Sequence, residues 1–182
     1  MRRSVSLIAV VAAVVLPFTL LVSPASAKQS TGGKQSGCIM PSATIWVGSI
    51  GPAWETAVDN AIVFWNEQGI ELVEEERYGW RNTAQISVER KRLKDRDVYG
   101  QTLPFVWGAN NPEMEGEPFG GMVWLNRINI TPEERDRVAA HEIGHALGFD
   151  HVAFPGLMDI QSTGWGLPKY KLCADSLFIG QN

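Results

Sequence analysis

The three histidines of this 182-residue chain, His141, His145 and His151, fall within eleven residues, and Glu142 directly follows the first of them. Imidazole nitrogens are common ligands of zinc, and a carboxylate held beside a metal ion can act as a general base. The five fixed positions of the pattern His-Glu-x-x-His-x-x-Gly-x-x-His arise by chance in on the order of one in a hundred thousand chains of this composition. The spacing therefore indicates a metal site.

The segment that carries this pattern is predicted to be a helix of about sixteen residues. Thr131 can cap the helix, Pro132 fits its first turn, and Glu134 completes a capping box. Gly148 is the natural stop, because glycine readily adopts the backbone conformation that ends a helix.

Helical spacing places two of the histidines on one face. His141 and His145 are four residues apart, so their Cβ atoms lie roughly 5 to 6 Å apart, a suitable separation for holding one ion. The apolar residues of the helix lie on the opposite side: Ala139, Ala140, Ile143, Ala146 and Leu147. We therefore expect the histidines to face away from the core, and the chain to reverse at Gly148 so that His151 returns to the same ion. Gly144 in mid-helix costs about 1 kcal/mol relative to alanine, which suggests a close approach by another segment.

The run HEIGHALGFDH at residues 141–151 resembles the metzincin clan of zinc endopeptidases and is most similar to its matrixin branch. The resemblance implies one catalytic zinc ion on His141, His145 and His151, with Glu142 as general base. It also implies a methionine turn beneath the metal, for which Met158 is the candidate. The implied zincin fold has a twisted, mostly parallel five-stranded sheet, a backing helix, an active-site helix and a small irregular C-terminal part.

The chemistry of the site can also be argued from its ligand set. Three neutral imidazoles leave a fourth tetrahedral position for water, and zinc lowers the pKa of a bound water to about 7. Glu142 points about 100° away from its neighbouring ligand around the helix, so we expect its carboxylate beside that water, as the base. A structural zinc site would be closed by cysteines, and Cys38 and Cys173 lie far from the motif in sequence. The expected reaction is hydrolysis of peptide bonds.

The rest of the chain predicts an α+β fold whose N-terminal part is α/β-like. Residues 52–66 carry apolar side chains at three- and four-residue intervals, which predicts an amphipathic helix, the candidate backing helix. Short apolar or β-branched runs predict strands at residues 43–47, 70–73, 84–88, 103–107 and 121–130. The resemblance implies that strand 103–107 is the sheet edge that pairs with an extended substrate.

Residues 1–27 have the features of a secretory signal peptide. Two arginines precede an apolar run, and Ala25-Ser26-Ala27 provides small residues for cleavage after Ala27. The polar residues 28–37 are expected to form a flexible tail or a remnant pro-segment, and residues 38–182 a single metallopeptidase domain. The mature protein is expected to be secreted and to have no membrane span, because no later stretch reaches roughly 20 apolar residues.

The charge balance disfavours nucleic acid and anionic lipid as partners. Removing the two arginines of the signal peptide leaves 14 basic against 20 acidic residues, a net charge of −6. Nucleic acids and anionic lipids bind preferentially to surfaces with clustered lysine and arginine. One basic run, residues 90–94, is interpreted as a solvated loop rather than a binding patch, because Asp95 and Asp97 follow at once. The expected partners are protein or peptide substrates, and the protein is expected to be a monomer.

Acidic residues cluster at positions 110–118 and could hold calcium. The regular ligand spacing of a dedicated calcium loop is missing, so a hydrated acidic loop is the favoured interpretation and calcium is unsupported.

Cys38 and Cys173 are the only cysteines, and a secreted pair is usually bridged, so we predict a disulfide between them. The alternative is a free Cys38 thiolate that caps the metal in a latent form, since matrixins remain latent through a cysteine in a pro-domain. Only ten residues separate Ala27 from Cys38, too few for a folded pro-domain, so we expect no such latency.

The lead hypothesis is a secreted zinc endopeptidase. The alternative is a secreted binding or inhibitory module that keeps a zincin fold without turnover. Its motivation is Ile160, two residues after Met158, where astacin-like and serralysin-like enzymes carry a tyrosine, together with subsite residues that do not follow the matrixin pattern.

Overall fold

The computed structural model describes most of the chain after residue 37: residues 38–75, 84–95, 97–106, 118–152, 155–159 and 164–174. The predicted signal peptide 1–27 and tail 28–37 lie outside these described residues, and so does nearly all of the acidic segment 110–118 that was considered for calcium.

Five strands form one sheet in the order β2-β1-β3-β5-β4. Their bounds are β1 Ser42–Val47, β2 Glu71–Glu74, β3 Ile86–Lys91, β4 Gly100–Val106 and β5 Pro118–Asn126. The pairs β1 with β2, β1 with β3, and β3 with β5 are parallel, whereas β4 pairs antiparallel with β5 at one edge. The prediction of a mostly parallel five-stranded sheet is therefore confirmed.

Strand β3 extends further than its sequence indicates. It continues to Lys91 because Arg90 and Lys91 pair with Leu125 and Asn126 of β5. The interpretation of residues 90–94 as a solvated loop was therefore wrong for the first two residues. Their backbone conformation is decided by pairing with a neighbouring strand, although both side chains remain exposed.

Strand β5 lies earlier than predicted, from Pro118 to Asn126 rather than from residue 121 to residue 130. At the end of β5, the Asn126 side chain forms hydrogen bonds with the segment between β3 and β4. Its Nδ2 donates to the Val98 carbonyl at 2.6 Å, and its Oδ1 accepts from the Leu93 N–H at 3.1 Å.

Two helices pack against each other, α1 at Pro52–Glu67 and α2 at Pro132–Leu147. The predicted capping box of α2 is present, since Thr131 and Glu134 exchange hydrogen bonds, and Gly148 ends the helix with φ 110°. Trp65 of α1 is fully buried, and its Nε1 donates to the Ala140 carbonyl of α2 at 3.0 Å. This bond fixes α2 on the backing helix α1.

The histidine-bearing side of α2 is covered rather than open, contrary to the expectation that it faces away from the core. His141 and Glu142 are buried together with the apolar residues of the helix. Leu157 reaches His141 from the C-terminal segment, and Thr102 of β4 reaches Glu142. Hydrophobic periodicity located the apolar side of α2 but does not reveal polar residues that are buried with specific partners.

Cys38 and Cys173 form a disulfide, the pairing that the sequence favoured. Beside it, the Ile39 N–H donates to the Lys171 carbonyl and the Cys173 N–H donates to the Ile39 carbonyl, both at 2.8 Å. The next residue, Met40, donates its N–H to the Leu147 carbonyl at the end of α2. Both ends of the described chain are thus anchored close to the C-terminal end of α2.

None of the helices in the described part of the chain is both long enough and apolar enough to span a membrane.

Candidate metal centre

The structure brings the three predicted histidines together around one point. The Nε2 atoms of His141 and His145 are 3.0 Å apart, those of His145 and His151 are 3.1 Å apart, and those of His141 and His151 are 3.2 Å apart. His141 and His145 come from α2, and His151 comes from the segment after the turn at Gly148.

Backbone carbonyls fix the ring orientation of two histidines. His141 Nδ1 lies 2.6 Å from the Leu157 carbonyl oxygen, and His145 Nδ1 lies 2.7 Å from the Phe149 carbonyl oxygen. A carbonyl oxygen can only accept, so each Nδ1 carries the proton, and each neutral ring presents an Nε2 lone pair. A donor contact of this kind on the second ring nitrogen is typical of metal-binding histidines.

The surroundings of the rings favour their neutral, metal-binding form. Burial lowers the pKa of His141 to about 4, against the opposing hydrogen bond to the Leu157 carbonyl. Burial and the neighbouring His141 lower the pKa of His145 to about 3, and burial lowers the pKa of His151. All three rings are therefore neutral at pH 7, as metal coordination requires.

The separations of the nitrogens suit a single tetrahedral ion. Zinc–imidazole bonds of about 2.0–2.1 Å at tetrahedral angles place the nitrogens about 3.3 Å apart. The observed Nε2 separations of 3.0–3.2 Å are close to that value. Converging lone pairs repel one another unless a cation lies between them. The residues present therefore fit a metal ion, and a three-imidazole donor set suits zinc.

Glu142 is buried beneath strand β4, with 1% of its surface exposed. Thr102 Oγ1 lies 2.6 Å from Glu142 Oε2 and 2.8 Å from the Glu142 carbonyl oxygen. Gly100 leaves room for the carboxylate, because a Cβ there would lie 2.5 Å from Glu142 Cγ. Burial raises the pKa of Glu142 to about 7, against the opposing hydrogen bond to Thr102.

The two contacts of Thr102 can be satisfied whether the Glu142 carboxyl is protonated or ionised. The threonine hydroxyl has one proton but two oxygen neighbours, the carboxyl and the carbonyl of Glu142. When the carboxyl is protonated, it can donate to Thr102 Oγ1 while the hydroxyl donates to the carbonyl. When it is ionised, the hydroxyl can donate to Oε2 instead. The contact therefore accommodates both protonation states of Glu142.

Met158 is fully buried against the middle of α2. A Cβ at Gly144 would lie 2.7 Å from Met158 Sδ and 2.9 Å from Trp65 Cζ2, so only glycine fits there without displacement. This is the kind of close approach that a glycine in mid-helix suggests. The Leu157 carbonyl accepts a hydrogen bond from His141 Nδ1, so the Leu157–Met158 segment both packs against α2 and orients the His141 ring.

Comparisons with known proteins assign no family. No protein-family profile matches the chain, and no curated protein matches it. Two solved structures, titled "Crystal structure of myroilysin" and "Structure of myroilysin", are similar over 71% and 65% of this chain, with TM-scores of 0.44 and 0.41 and identities of 19% and 20%. The aligned part spans only 53% and 54% of those structures. A likeness this distant assigns no activity.

Thr102 and Gly100 contact Glu142 but were not predicted from the sequence. Both precede the predicted strand at residues 103–107, whereas β4 begins at Gly100. Residues 100 and 102 share a face of a strand because side chains alternate, and both are buried. Sequence alone does not indicate which buried group meets that face.

Glu142→Gln is expected to stabilise the metal-free protein at alkaline pH and to leave it nearly unchanged at acidic pH. The unfolded carboxyl ionises near 4.5, whereas the folded one stays protonated up to about 7. The stability associated with the neutral carboxyl is therefore complete below pH 4.5 and is lost progressively as pH rises from 4.5 to about 7, by about 3 kcal/mol in total. Thermal unfolding of both proteins in chelator, at about pH 4.5 and about pH 8, measures the difference. An equal effect at both pH values would contradict the raised pKa.

Proposed function

We propose that the chain is a secreted zinc-dependent endopeptidase. The observation that carries the proposal is the convergence of three neutral Nε2 atoms within 3.0–3.2 Å of one another, with two of the rings fixed by backbone carbonyls. Such a donor set leaves one tetrahedral position open, as catalytic zinc sites do.

In this proposal His141, His145 and His151 hold the zinc ion. The bound ion supplies Lewis acidity, which activates a water molecule and polarises the peptide carbonyl. The histidines keep the donor geometry fixed, because the Leu157 and Phe149 carbonyls restrain two of the rings.

Glu142 serves as the general base of the proposal. A base operates best when its pKa is near the working pH, and burial raises the pKa of Glu142 to about 7. It accepts a proton from the attacking water and later releases it to the leaving amine. Thr102 supports both states, since its hydroxyl lies 2.6 Å from Oε2.

Strand β4 is the proposed binding edge for an extended peptide. In the described sheet it has β5 on one side and no strand on the other. A peptide added there would gain main-chain hydrogen bonds, and its side chains would set the preference. The strand also contributes Thr102, so substrate binding and the base would share one element.

Secretion and the remaining assignments belong to the same proposal. A disulfide fits an oxidising compartment, in agreement with the signal peptide proposed for residues 1–27. Residues 38–182 would form one catalytic domain, and Met158, packed against Gly144, would provide the methionine turn.

Digestion of a diverse peptide library, read by mass spectrometry, tests the proposal. Zinc-loaded protein should cleave internal peptide bonds, chelator should stop cleavage, and added zinc should restore it. His151→Ala should remove both zinc binding and cleavage. Zinc-loaded protein that cleaves nothing, while capturing one protein stably, would instead support a binding or inhibitory module.

A further inference from the structure

A surface cavity of about 420 Å³ lies away from the histidines, at the carboxyl ends of the parallel strands. Its wall comes from Arg90 at the end of β3, Arg127 just after β5, Arg135 in α2 and the first residues of α1. Crevices at this end of a parallel sheet are common ligand sites where the connections that follow two neighbouring strands leave in opposite directions. Arg135 precedes His141 by six residues, about 9 Å along the helix axis, so the cavity is distinct from the metal centre.

The cavity concentrates positive charge in an acidic protein. Three of its ten lining residues are arginines and none is acidic. Within the described residues, the guanidinium groups of Arg90 and Arg127 make no hydrogen bond or ion pair. Arg135 is held by a bond from its Nη1 to the Ile130 carbonyl at 2.9 Å, and its buried Nε has no partner in the described structure.

The start of helix α1 adds further donors to this wall. Gly51 caps the helix without a side-chain hydrogen bond, and Arg90 Nη1 lies 3.5 Å from where a Cβ of residue 51 would be. The positive end of a helix dipole disfavours a nearby cation and favours an anion. The Ala53 N–H, also in the wall, has no hydrogen-bond acceptor in the described chain. The repulsion among these groups would be relieved by a bound anion.

We propose that this cavity binds a tetrahedral oxyanion, a phosphate or sulfate group. Three guanidinium groups and a helix terminus offer donors from several directions, which four oxygens satisfy better than the two oxygens of a carboxylate. The cavity volume lies within the range of small-molecule sites, so it has room for an ester as well as for the free ion. This site is independent of the proposed peptidase activity.

Calorimetric titration of the zinc-loaded protein at constant ionic strength tests the proposal. Inorganic phosphate and sulfate should bind, and acetate should bind at least about tenfold more weakly. O-Phosphoserine distinguishes the sources of the oxyanion: tighter binding than phosphate indicates an ester, and equal or weaker binding indicates the free ion. If phosphate, sulfate and O-phosphoserine all failed to show saturable binding, the proposal would be overturned.

Three single variants and one double variant locate the binding. Arg90→Gln and Arg127→Gln should each weaken phosphate binding about tenfold or more, the effect of losing a charge-assisted hydrogen bond. Both side chains are exposed, so folding should be retained. Arg92→Gln, an exposed residue outside the cavity wall, removes the same charge and should leave the affinity unchanged. Wild-type affinity in the Arg90→Gln/Arg127→Gln double variant would show that phosphate binds elsewhere, at the metal or as an adventitious ion only.

Discussion

Glu142→Gln should lower the rate of peptide cleavage by about 10²- to 10⁴-fold, the usual contribution of a general base, while zinc stays bound. Glutamine keeps the shape of the side chain and can still accept from Thr102, but it cannot take a proton from water. Because the three histidines are untouched, the variant should bind the same one zinc ion per chain that is proposed for the wild type. Steady-state cleavage of a fluorogenic peptide, with zinc measured by atomic absorption, gives both quantities.

Glu133→Gln is the matched control for this variant. It removes a carboxylate from the same helix, at an exposed position where Glu133 Oε1 accepts from Arg137 Nη1 at 3.1 Å. An exposed pair of this kind contributes little, so activity should be unchanged. If the Glu142→Gln variant were as active as the wild type, Glu142 would not be the proposed base. Loss of zinc from the variant would mean that Glu142 supports the metal ligands instead.

Removing the disulfide should cost about 5 kcal/mol of folding free energy. The bond joins residues 135 positions apart, and in the chain-entropy model a loop of this length constrains the unfolded state strongly. A domain of this size is stable by about 5–15 kcal/mol, so the loss is a large share of the total. Urea unfolding of the Cys38→Ser/Cys173→Ser variant against the oxidised wild type measures it, and the midpoint should fall markedly.

Reduced wild-type protein provides the control for the serine substitutions. It should unfold at nearly the same urea concentration as the double variant, because both lack the same covalent link. An unchanged midpoint in the variant would contradict this argument, because it would mean that the link does not restrict the unfolded chain. Zinc affinity of the folded variant reports whether the anchored ends also support α2.

Local signals made α2 and its histidines predictable. Thr131, Glu134 and Gly148 act within one turn of the helix that they start or stop, so their effect is visible in the sequence itself. The convergence of His151 with the two helical histidines was expected for the same reason, since only the short turn at Gly148 separates them.

Long-range contacts explain what was not predicted. Glu142 and Thr102 are forty residues apart, and their contact depends on how β4 lies over α2. The carbonyls of Leu157 and Phe149 have no side-chain signature at all. Arg90 was interpreted as part of a solvated loop because acidic residues closely follow its basic run. Pairing with Leu125 instead places it in a strand, beside Gly51.

The covalent link between Cys38 and Cys173 would protect the integrity of the proposed peptidase. Self-cleavage in any loop between these positions would leave two fragments that stay attached to each other. Nicked molecules would migrate as one species on a non-reducing gel and separate only after reduction. A single accidental cut would therefore not by itself release either part of the chain.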